Sequence, residues 1–380
     1  MKILIDFTQI PVKRTGAGVY AENLVRELPA FLQCGDQLVL LVQSDEETMP
    51  QLLRDVANLQ ILSIPSRIFR NRIVLMFFEQ ILLPWILIIH RIDVLHSLHY
   101  TLPLYAPASR VVTFHDLTML QSPLLHTRSR RWIMPVYMRL AWRLADAILF
   151  VSASTEKDAE RLFPPSQKCR AVTPLGVSDN AFVNVSASEI REWVTQFELT
   201  QPYLLFVGTI EPRKNLVRLI QAFEAIADQF PQCTLVLAGE LGWDYEPVVQ
   251  AATSSPVSHR IRHIGYVSDQ ARRVLLAGCS ALVYPSLYEG FGLPVVEGMA
   301  AGVPVITSNV SSLPEVAGTA ALLVDPTSVE QLSNAMKTLL MEPNLAKEYG
   351  RRGRERARTF SWSRTAAMTY RAYQAVFGLI

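Results

Sequence analysis

The sequence predicts an α/β protein of two doubly wound domains, each a parallel sheet flanked by helices. Three observations lead there. The chain has 380 residues, enough for two cores at roughly 100–200 residues per domain. Half of its residues are apolar and 18% are charged, the composition of an ordered globular protein. Short β-rich runs also alternate with longer segments of helical period, the pattern of parallel α/β sheets.

In the first half the strand candidates are, in order, KILIDF, QLVLLVQ, LQILSI, DVLHS, RVVTFHD and DAILFVS. Segments such as GVYAENLVRELPAFL lie between them and repeat apolar residues at helical spacing. The second half has the same style, with YLLFVGT, CTLVLAGE, RIRHIGYV, ALVYPS, PVITSN and ALLVD as strands. NLVRLIQAFEAIADQF, DQARRVLLAGC, LPVVEGMAAG and SVEQLSNAMKTLLM are the helices between them. The polar stretch Val185 to Pro202 marks the boundary. This gives domains over 1–184 and 185–358, followed by a last helical segment over 359–380. No short repeat relates the halves. In such sheets ligands bind outside the carboxyl ends of the strands, at the cleft, so polar residues just after strands are the site candidates.

Composition excludes several classes. Lys plus Arg is 36 and Asp plus Glu is 34, a net charge of +2, which gives no global argument for a nucleic-acid partner. Cys34, Cys169, Cys233 and Cys279 lie far apart without a CxxC pair, so reduced, buried thiols of a cytosolic protein are expected. MKILIDFTQI reaches Asp6 after a brief apolar run and reads as a first strand, not a signal peptide. Residues 73–90, IVLMFFEQILLPWILIIH, approach the length of a membrane span. Glu79, Gln80 and Pro84 lie inside that run, and a central acid is costly in lipid. A buried or interfacial helix is expected there instead.

Three constellations carry chemistry. RTGAGVYAENL, Arg14 to Leu24, follows the first strand, and Gly16 and Gly18 permit close backbone approach at a helix N-terminus. With Ala21 it also fits the G-x-G-x-x-A of dinucleotide binding, although the strand-to-helix link is longer than that motif wants. VGTIEPRKNL, Val207 to Leu216, puts Arg213 and Lys214 before a helix. The N-terminal end of a helix dipole is already positive, so cations there make sense beside an anion such as a diphosphate. The alternative is a solvated helix start capped by Asn215. YEGFGLPVVEGMAAG, residues 288–302, flanks a glycine turn with Glu289 and Glu297. Pro294 suits a first helical turn, and the amides of Phe291, Gly292 and Leu293 can face phosphate oxygens. Carboxylates accept hydrogen bonds and suit vicinal hydroxyls. One ligand with a central diphosphate and a polyol at each end, a nucleotide sugar, satisfies every group. The cations and amides favour a phosphate leaving group over the paired carboxylates of a glycoside hydrolase.

Together EGFGLPVVE, EPRKN and the TGAG loop resemble the retaining glycosyltransferases of family 4, which have the GT-B fold of two Rossmann-like domains facing across a cleft. The chain is similar to their bacterial mannosyltransferase-like branch. Further matches are FHDLT at 114–118, FVSASTEKD at 150–158, VTPLGV at 172–177, SNVSSLPEVAG at 308–318 and FSW at 360–362. Leu175 stands where relatives often carry asparagine. The resemblance implies that Glu297 holds the ribose and Glu289 the transferred sugar. Arg213 and Lys214 then grip the diphosphate and stabilise charge as it leaves. The amides around Gly290, Phe291, Gly292 and Leu293 assist, and Gly16 and Gly18 close from the other domain. His115 is placed near the donor sugar. Asp116 either joins it or caps the turn into LTML. His96 and His99 are acceptor-side candidates. The resemblance further implies transfer with retention and a last helix crossing back to the first domain. No D-x-D or HExxH occurs, so no divalent metal is expected.

The acceptor side is basic. Residues 60–144 hold ten arginines against Glu79, Asp93 and Asp116. Arg128, Arg130, Arg131, Arg139 and Arg143 accompany Trp132, Tyr137 and Trp142 on one amphipathic run. That reads as a membrane-surface patch or as a solvated helix face with core aromatics. A glycan or lipid-linked acceptor suits the basic reading. The expected activity is transfer of a hexose, mannose favoured and GDP-mannose as donor, in cell-surface polysaccharide synthesis. A non-catalytic binder on the same fold is the alternative. A dinucleotide oxidoreductase leaves Arg213, Lys214 and both glutamates without a task.

Overall fold

The computed structural model describes residues 1–378 except 12, 13, 15, 55, 57, 70, 126 and 127, and omits the side chains at 72 and 128–130. Thr15, Arg70 and the side chains of Arg72, Arg128 and Arg130 therefore lie outside the described residues. The chain forms two compact units, Met1–Gly176 with Trp362–Ile380, and Val177–Ser361.

The first unit is a seven-stranded sheet. Its strands are β1 (Lys2–Asp6), β2 (Gln37–Gln43), β3 (Leu59–Ile64), β4 (Val94–Ser97), β5 (Ser109–Phe114), β6 (Ala147–Phe150) and β7 (Cys169–Val172). They lie in the order β3-β2-β1-β4-β5-β6-β7, every neighbouring pair parallel. Ile3 sits between Leu38 and Val94, and the order reverses at β1 and β4. All four residues of β6 are buried, as both faces of a helix-covered parallel sheet require. β7 is a strand the sequence does not predict. It has four half-buried residues and Arg170 interrupts it, so it offers no apolar run to read.

Helix α1 (Gly16–Glu27) follows β1. The run expected as one helix over 73–90 is three pieces: α2 (Arg72–Phe77), a π-helical turn at Phe78–Leu82, and α3 (Leu83–Ile89). Asn71 starts it, its side chain accepting from the amides of Ile73 and Val74. Phe78, Leu83 and Leu87 enter the core beside Leu4, Val39 and Leu41. Helix α4 (Arg128–Leu144) lies between β5 and β6, with Met138, Ala141 and Trp142 in the core.

The second unit is a six-stranded parallel sheet of β8 (Tyr203–Val207), β9 (Thr234–Ala238), β10 (Ile261–Gly265), β11 (Ala281–Tyr284), β12 (Val305–Ser308) and β13 (Leu322–Val324). Its order is β10-β9-β8-β11-β12-β13, reversing at β8 and β11. Helices α5 (Leu216–Ala227), α6 (Asp269–Gly278), α7 (Leu293–Ala301) and α8 (Pro343–Ala357) concern the site. Gly292 has φ +105°, which lets the chain turn straight from the loop after β11 into α7. Pro294 occupies the first turn of α7, and Gly302 ends it. Finally α9 (Trp362–Phe377) packs on the first unit, where Tyr373 bonds His96 and Thr365 donates to the Pro174 carbonyl.

The break between units falls at Gly176 and Val177, earlier than the 184/185 boundary expected. The polar stretch expected as a linker is a helix, Ala187–Gln196, capped by Ser186. Arg354 of α8 holds the segment before it, bonding the Phe182 carbonyl and, at 2.8 Å, the Asn184 side chain. Among the cysteines, Cys233 and Cys279 are buried but Cys34 is exposed, unlike the buried thiol expected.

Helix α8 fixes α7 through a contact only glycine allows. A Cβ at Gly350 would stand 2.2 Å from the Gly302 carbonyl oxygen at the end of α7. Gly350→Ala is therefore expected to destabilise the second unit by about 1–3 kcal/mol. Urea unfolding followed by circular dichroism checks this, and an unchanged midpoint would contradict the close approach.

Candidate functional site

Two loops at the carboxyl end of the second sheet meet because β8 and β11 are neighbours. After β8 the chain makes a short 3-10 turn, Pro212–Lys214. After β11 it runs through Pro285 to Gly292 into α7. The Leu287 amide donates to the Arg213 carbonyl at 2.9 Å. Asn215 has φ +63°, and its side-chain amide donates to the carbonyls of Pro285 at 3.0 Å and Pro326 at 2.6 Å. Its side chain makes no cap bond to α5, so it acts as a staple between loops.

Glu289 stands at the centre. One carboxylate oxygen accepts from Lys214 Nζ at 2.6 Å, and the other pairs with Arg213 at 2.6 Å. Arg213 also bonds Glu211 at 2.8 Å and the Tyr288 carbonyl at 2.9 Å. Lys214 Nζ donates to the Tyr284 hydroxyl at 2.5 Å, and that hydroxyl donates to Glu289 at 3.1 Å. Glu289 and Lys214 are 7% and 6% exposed. Burial alone would raise the Glu289 carboxyl, but Arg213 and Lys214 outweigh it and hold it at about 2. Burial and the Arg213 charge push the Lys214 ammonium below its ordinary value, with Glu289 opposing. The glutamate and the two cations, expected from sequence as separate ligand groups, form one ionic cluster.

Gly290, Phe291 and Gly292 are buried immediately beyond Glu289, and Leu293 opens α7. Ser312 donates to the carbonyls of Glu289 and Phe291, fixing the turn. Glu297 lies one turn into α7 and pairs with Arg272 of α6 at 3.2 Å, while Arg272 also reaches Asp269 at 3.1 Å. Burial raises the Glu297 carboxyl, with Arg272 opposing. Arg272 and Tyr284 escape a reading of the sequence. Arg272 is an ordinary helix-face residue in DQARRVLLAGC, and Tyr284 reads as strand core.

In the first unit Gly16 and Gly18 lie within the first turn of α1, not in a loop before it. That placement departs from the dinucleotide fingerprint. Gly16 is exposed, and Gly18 is buried against Arg14. His115 follows β5, and its Nε2 donates to the Leu98 carbonyl at 2.8 Å. The bond fixes the Nε2–H tautomer and leaves Nδ1 as the acceptor. The His115 ring lies 5.0 Å from Tyr20 of α1 and 5.6 Å from His99, so α1, His99 and His115 gather at one place. Burial lowers the His115 pKa. The Asp116 carboxylate accepts from the Thr118 amide and hydroxyl, which makes it a turn cap. His96 is a core residue, fully buried between Tyr373 at 2.6 Å and Thr113 at 2.8 Å.

Known families match both units. The family "Glycosyl transferases group 1" matches residues 188–356, and "Glycosyltransferase Family 4" matches residues 14–180. The "O-antigen chain mannosyltransferase B" of Escherichia coli is 30% identical over 98% of this chain and 100% of its own. The chain is a family 4, group 1 glycosyltransferase. Its fold is that of the sucrose-phosphate synthase of Thermosynechococcus elongatus, with a TM-score of 0.78 at 20% identity over all of both chains. The Anabaena protein HepE, solved "in complex with UDP and glucose", gives 0.78 at 17% identity over 99% of this chain and 100% of its own.

In this glycosyltransferase the first unit carries a further polar cluster at the switch point of its sheet. Asp6 ends β1 and bonds Thr8 at 2.6 Å. Glu79, in the π turn and 3% exposed, accepts from Gln9 at 3.0 Å. Gln9 in turn bonds Thr101, after β4. Among the described residues neither acid has an ion-pair partner. From sequence, Glu79 stands out only as an obstacle to membrane spanning. The signal that marks it, an acid in a strongly apolar run, is present there, but its partners are distant in sequence.

Burial, then the Asp6 charge, pushes the Glu79 carboxyl up to about 8 from an ordinary 4.5. The fold therefore holds a proton that the unfolded chain releases, and stability falls as pH rises between those values. Glu79→Gln is expected to gain on the parent protein as pH rises from about 5 to about 8, by on the order of 2–4 kcal/mol. Urea unfolding at both pH values reads the difference. A gap independent of pH would contradict a proton held by Glu79.

Proposed function

We propose that the chain moves a hexose, mannose, from a nucleotide-diphosphate sugar to a hydroxyl of a glycan or lipid-linked acceptor in cell-surface polysaccharide synthesis. The observation that carries this is the buried Glu289 cluster at the start of α7, with Arg213 at 2.6 Å and Lys214 at 2.6 Å. The Escherichia coli relative, an O-antigen mannosyltransferase, supports mannose and polysaccharide, and GDP-mannose is the proposed donor. UDP and glucose bound together in HepE support a nucleotide-linked sugar.

Arg213 offers a planar fork and Lys214 a point charge to the donor diphosphate. Both already face a carboxylate, so they meet an anion without first being stripped of water. As the bond from the anomeric carbon to the diphosphate oxygen breaks, negative charge grows on that oxygen. Arg213, Lys214 and the amides around Gly290, Phe291, Gly292 and Leu293 stabilise it. The acceptor hydroxyl attacks on the face the diphosphate leaves, so the configuration is retained, and its proton passes to the departing phosphate. Glu289 holds hydroxyls of the sugar, and Glu297 exchanges Arg272 for the ribose hydroxyls. His115 and His99, gathered beside α1 with Gly16 and Gly18, are the first unit's proposed contribution to sugar and acceptor binding. Asp116 acts there through the turn it caps. Positive charge comes from protein side chains, and the transfer needs no metal. Arg139, Arg143 and Trp132 of α4 give the first unit a peripheral contact with the inner face of a membrane.

Glu297→Ala and Lys214→Ala are each expected to cut transfer at least about tenfold. Both should leave the circular dichroism spectrum unchanged, because Arg213 still neutralises Glu289. The assay is transfer of radiolabelled mannose from GDP-mannose, with and without EDTA. Full activity in both variants would remove these roles, and loss of activity with EDTA would remove the metal-free reading. GDP binding without turnover on any acceptor would favour a binding protein.

A further inference from the structure

The segment α2–α3 has an outer face that nothing within the first unit covers. Ile73, Phe77, Ile81, Trp85, Ile88 and Ile89 are all exposed, Phe77 by 57%, Trp85 by 61% and Ile89 by 71%. From Ile73 to Ile88 their spacing of three to four residues keeps them on one side, and with Ile89 the stripe is about 24 Å long at 1.5 Å per residue. Soluble monomers seldom expose contiguous apolar surface on this scale without a use for it.

One other segment extends the stripe. Gln80 of the π turn accepts from the Leu104 amide at 2.9 Å, which holds the exposed Tyr105 beside it. Trp132 of α4, 81% exposed, is a further uncovered aromatic of the first unit.

The first described charges along the chain on either side of the stripe are basic. Arg67 and Arg91 are exposed at its two ends. Among the described residues from 60 to 144 no carboxylate is exposed. Glu79 points inward, Asp93 accepts from the Lys2 amide at 2.6 Å, and Asp116 caps Thr118. Apolar residues with aromatic members, flanked along the chain by exposed arginines, match the boundary between acyl chains and anionic headgroups. No described helix is long and apolar enough to cross a membrane, so the contact is with the surface.

We propose that the α2–α3 stripe seats the first unit in an anionic lipid surface, with Trp85 and Ile89 entering the acyl boundary and Arg67 and Arg91 at headgroup level. This deepens the peripheral reading above by naming the inserting element, and it does not depend on the donor chemistry.

The test is flotation of the full chain with vesicles of phosphatidylcholine, alone or mixed with phosphatidylglycerol. The protein is expected to float with the mixed vesicles and to be released by salt. Trp85→Glu combined with Ile89→Glu should lower the floating fraction at least about tenfold. Arg67→Glu combined with Arg91→Glu should abolish the preference for phosphatidylglycerol. Thermal shift with GDP, read in the same proteins, should be unchanged, since GDP binding is assigned to the other unit. The proposal fails if the parent protein does not float, or if the Trp85/Ile89 variant floats equally well. It also fails if sedimentation shows a dimer that this variant dissolves while neither protein floats, because the stripe then seats a second copy. A parent protein that floats but shows no shift with GDP would sink the donor reading and leave this one standing.

Discussion

A single buried carboxylate, Glu289, held by two cations from another loop, is the constraint on which the second unit depends. An ionised group in the interior is tolerable only when it is paired and fully hydrogen-bonded. Glu289 meets that condition with Arg213, Lys214 and Tyr284. Removing all its partners would leave an uncompensated charge, at a cost of about 3–5 kcal/mol. The requirement propagates outward. The 3-10 turn must stop at Lys214, so Asn215 takes a left-handed conformation and spans to Pro285 and Pro326. Three loops at one end of the sheet are thereby tied before any ligand arrives.

The same cluster explains why α7 begins where it does. Its N-terminus adds positive character beside two cations, a combination stable only next to negative charge. Glu289 supplies some of that charge within the fold. Glu297 is kept separate by Arg272, one turn further along. The two glutamates that look alike in sequence therefore have opposite electrostatics. Glu289 is held far below the usual carboxylate range, whereas burial pushes Glu297 up.

Fold and site differ in how far they can be read from sequence. All six strands of the second unit are legible, and β8, β9, β11 and β12 plainly so, because parallel strands buried on both faces are continuous apolar runs. β7 is not, since its half-buried residues follow no such rule. The expected domain boundary is misplaced because polarity suggests a linker, whereas Ala187–Gln196 is a surface helix with a polar outer face. For the site, residues on one loop are legible and partners between loops are not. Glu289 and the Arg213–Lys214 pair announce themselves by sitting in turns after strands, and Glu297 by lying one turn into the helix that follows. Tyr284, Arg272 and Gln9 are ordinary locally and acquire meaning only from what the sheet order places beside them. His96 shows the converse, since its position after a strand suggests a ligand but α9 returns to bury it.

The segment from Arg72 to Ile89 compresses this lesson. A uniform α-helix of such apolar residues would have one buried stripe, and the acid in its middle would be misplaced. The π turn at Phe78–Leu82 resolves the conflict by shifting the phase. It turns Glu79 inward to Gln9 at the switch point of the first sheet, and it keeps Ile81 outward in line with Phe77 and Trp85. One short segment thus has a polar inner contact at the carboxyl ends of β1 and β4 and an apolar outer face. That geometry puts the apolar outer face and the carboxyl end of the sheet on opposite sides of a single turn. The acid that argues against a membrane span is the residue that marks the element as having two faces.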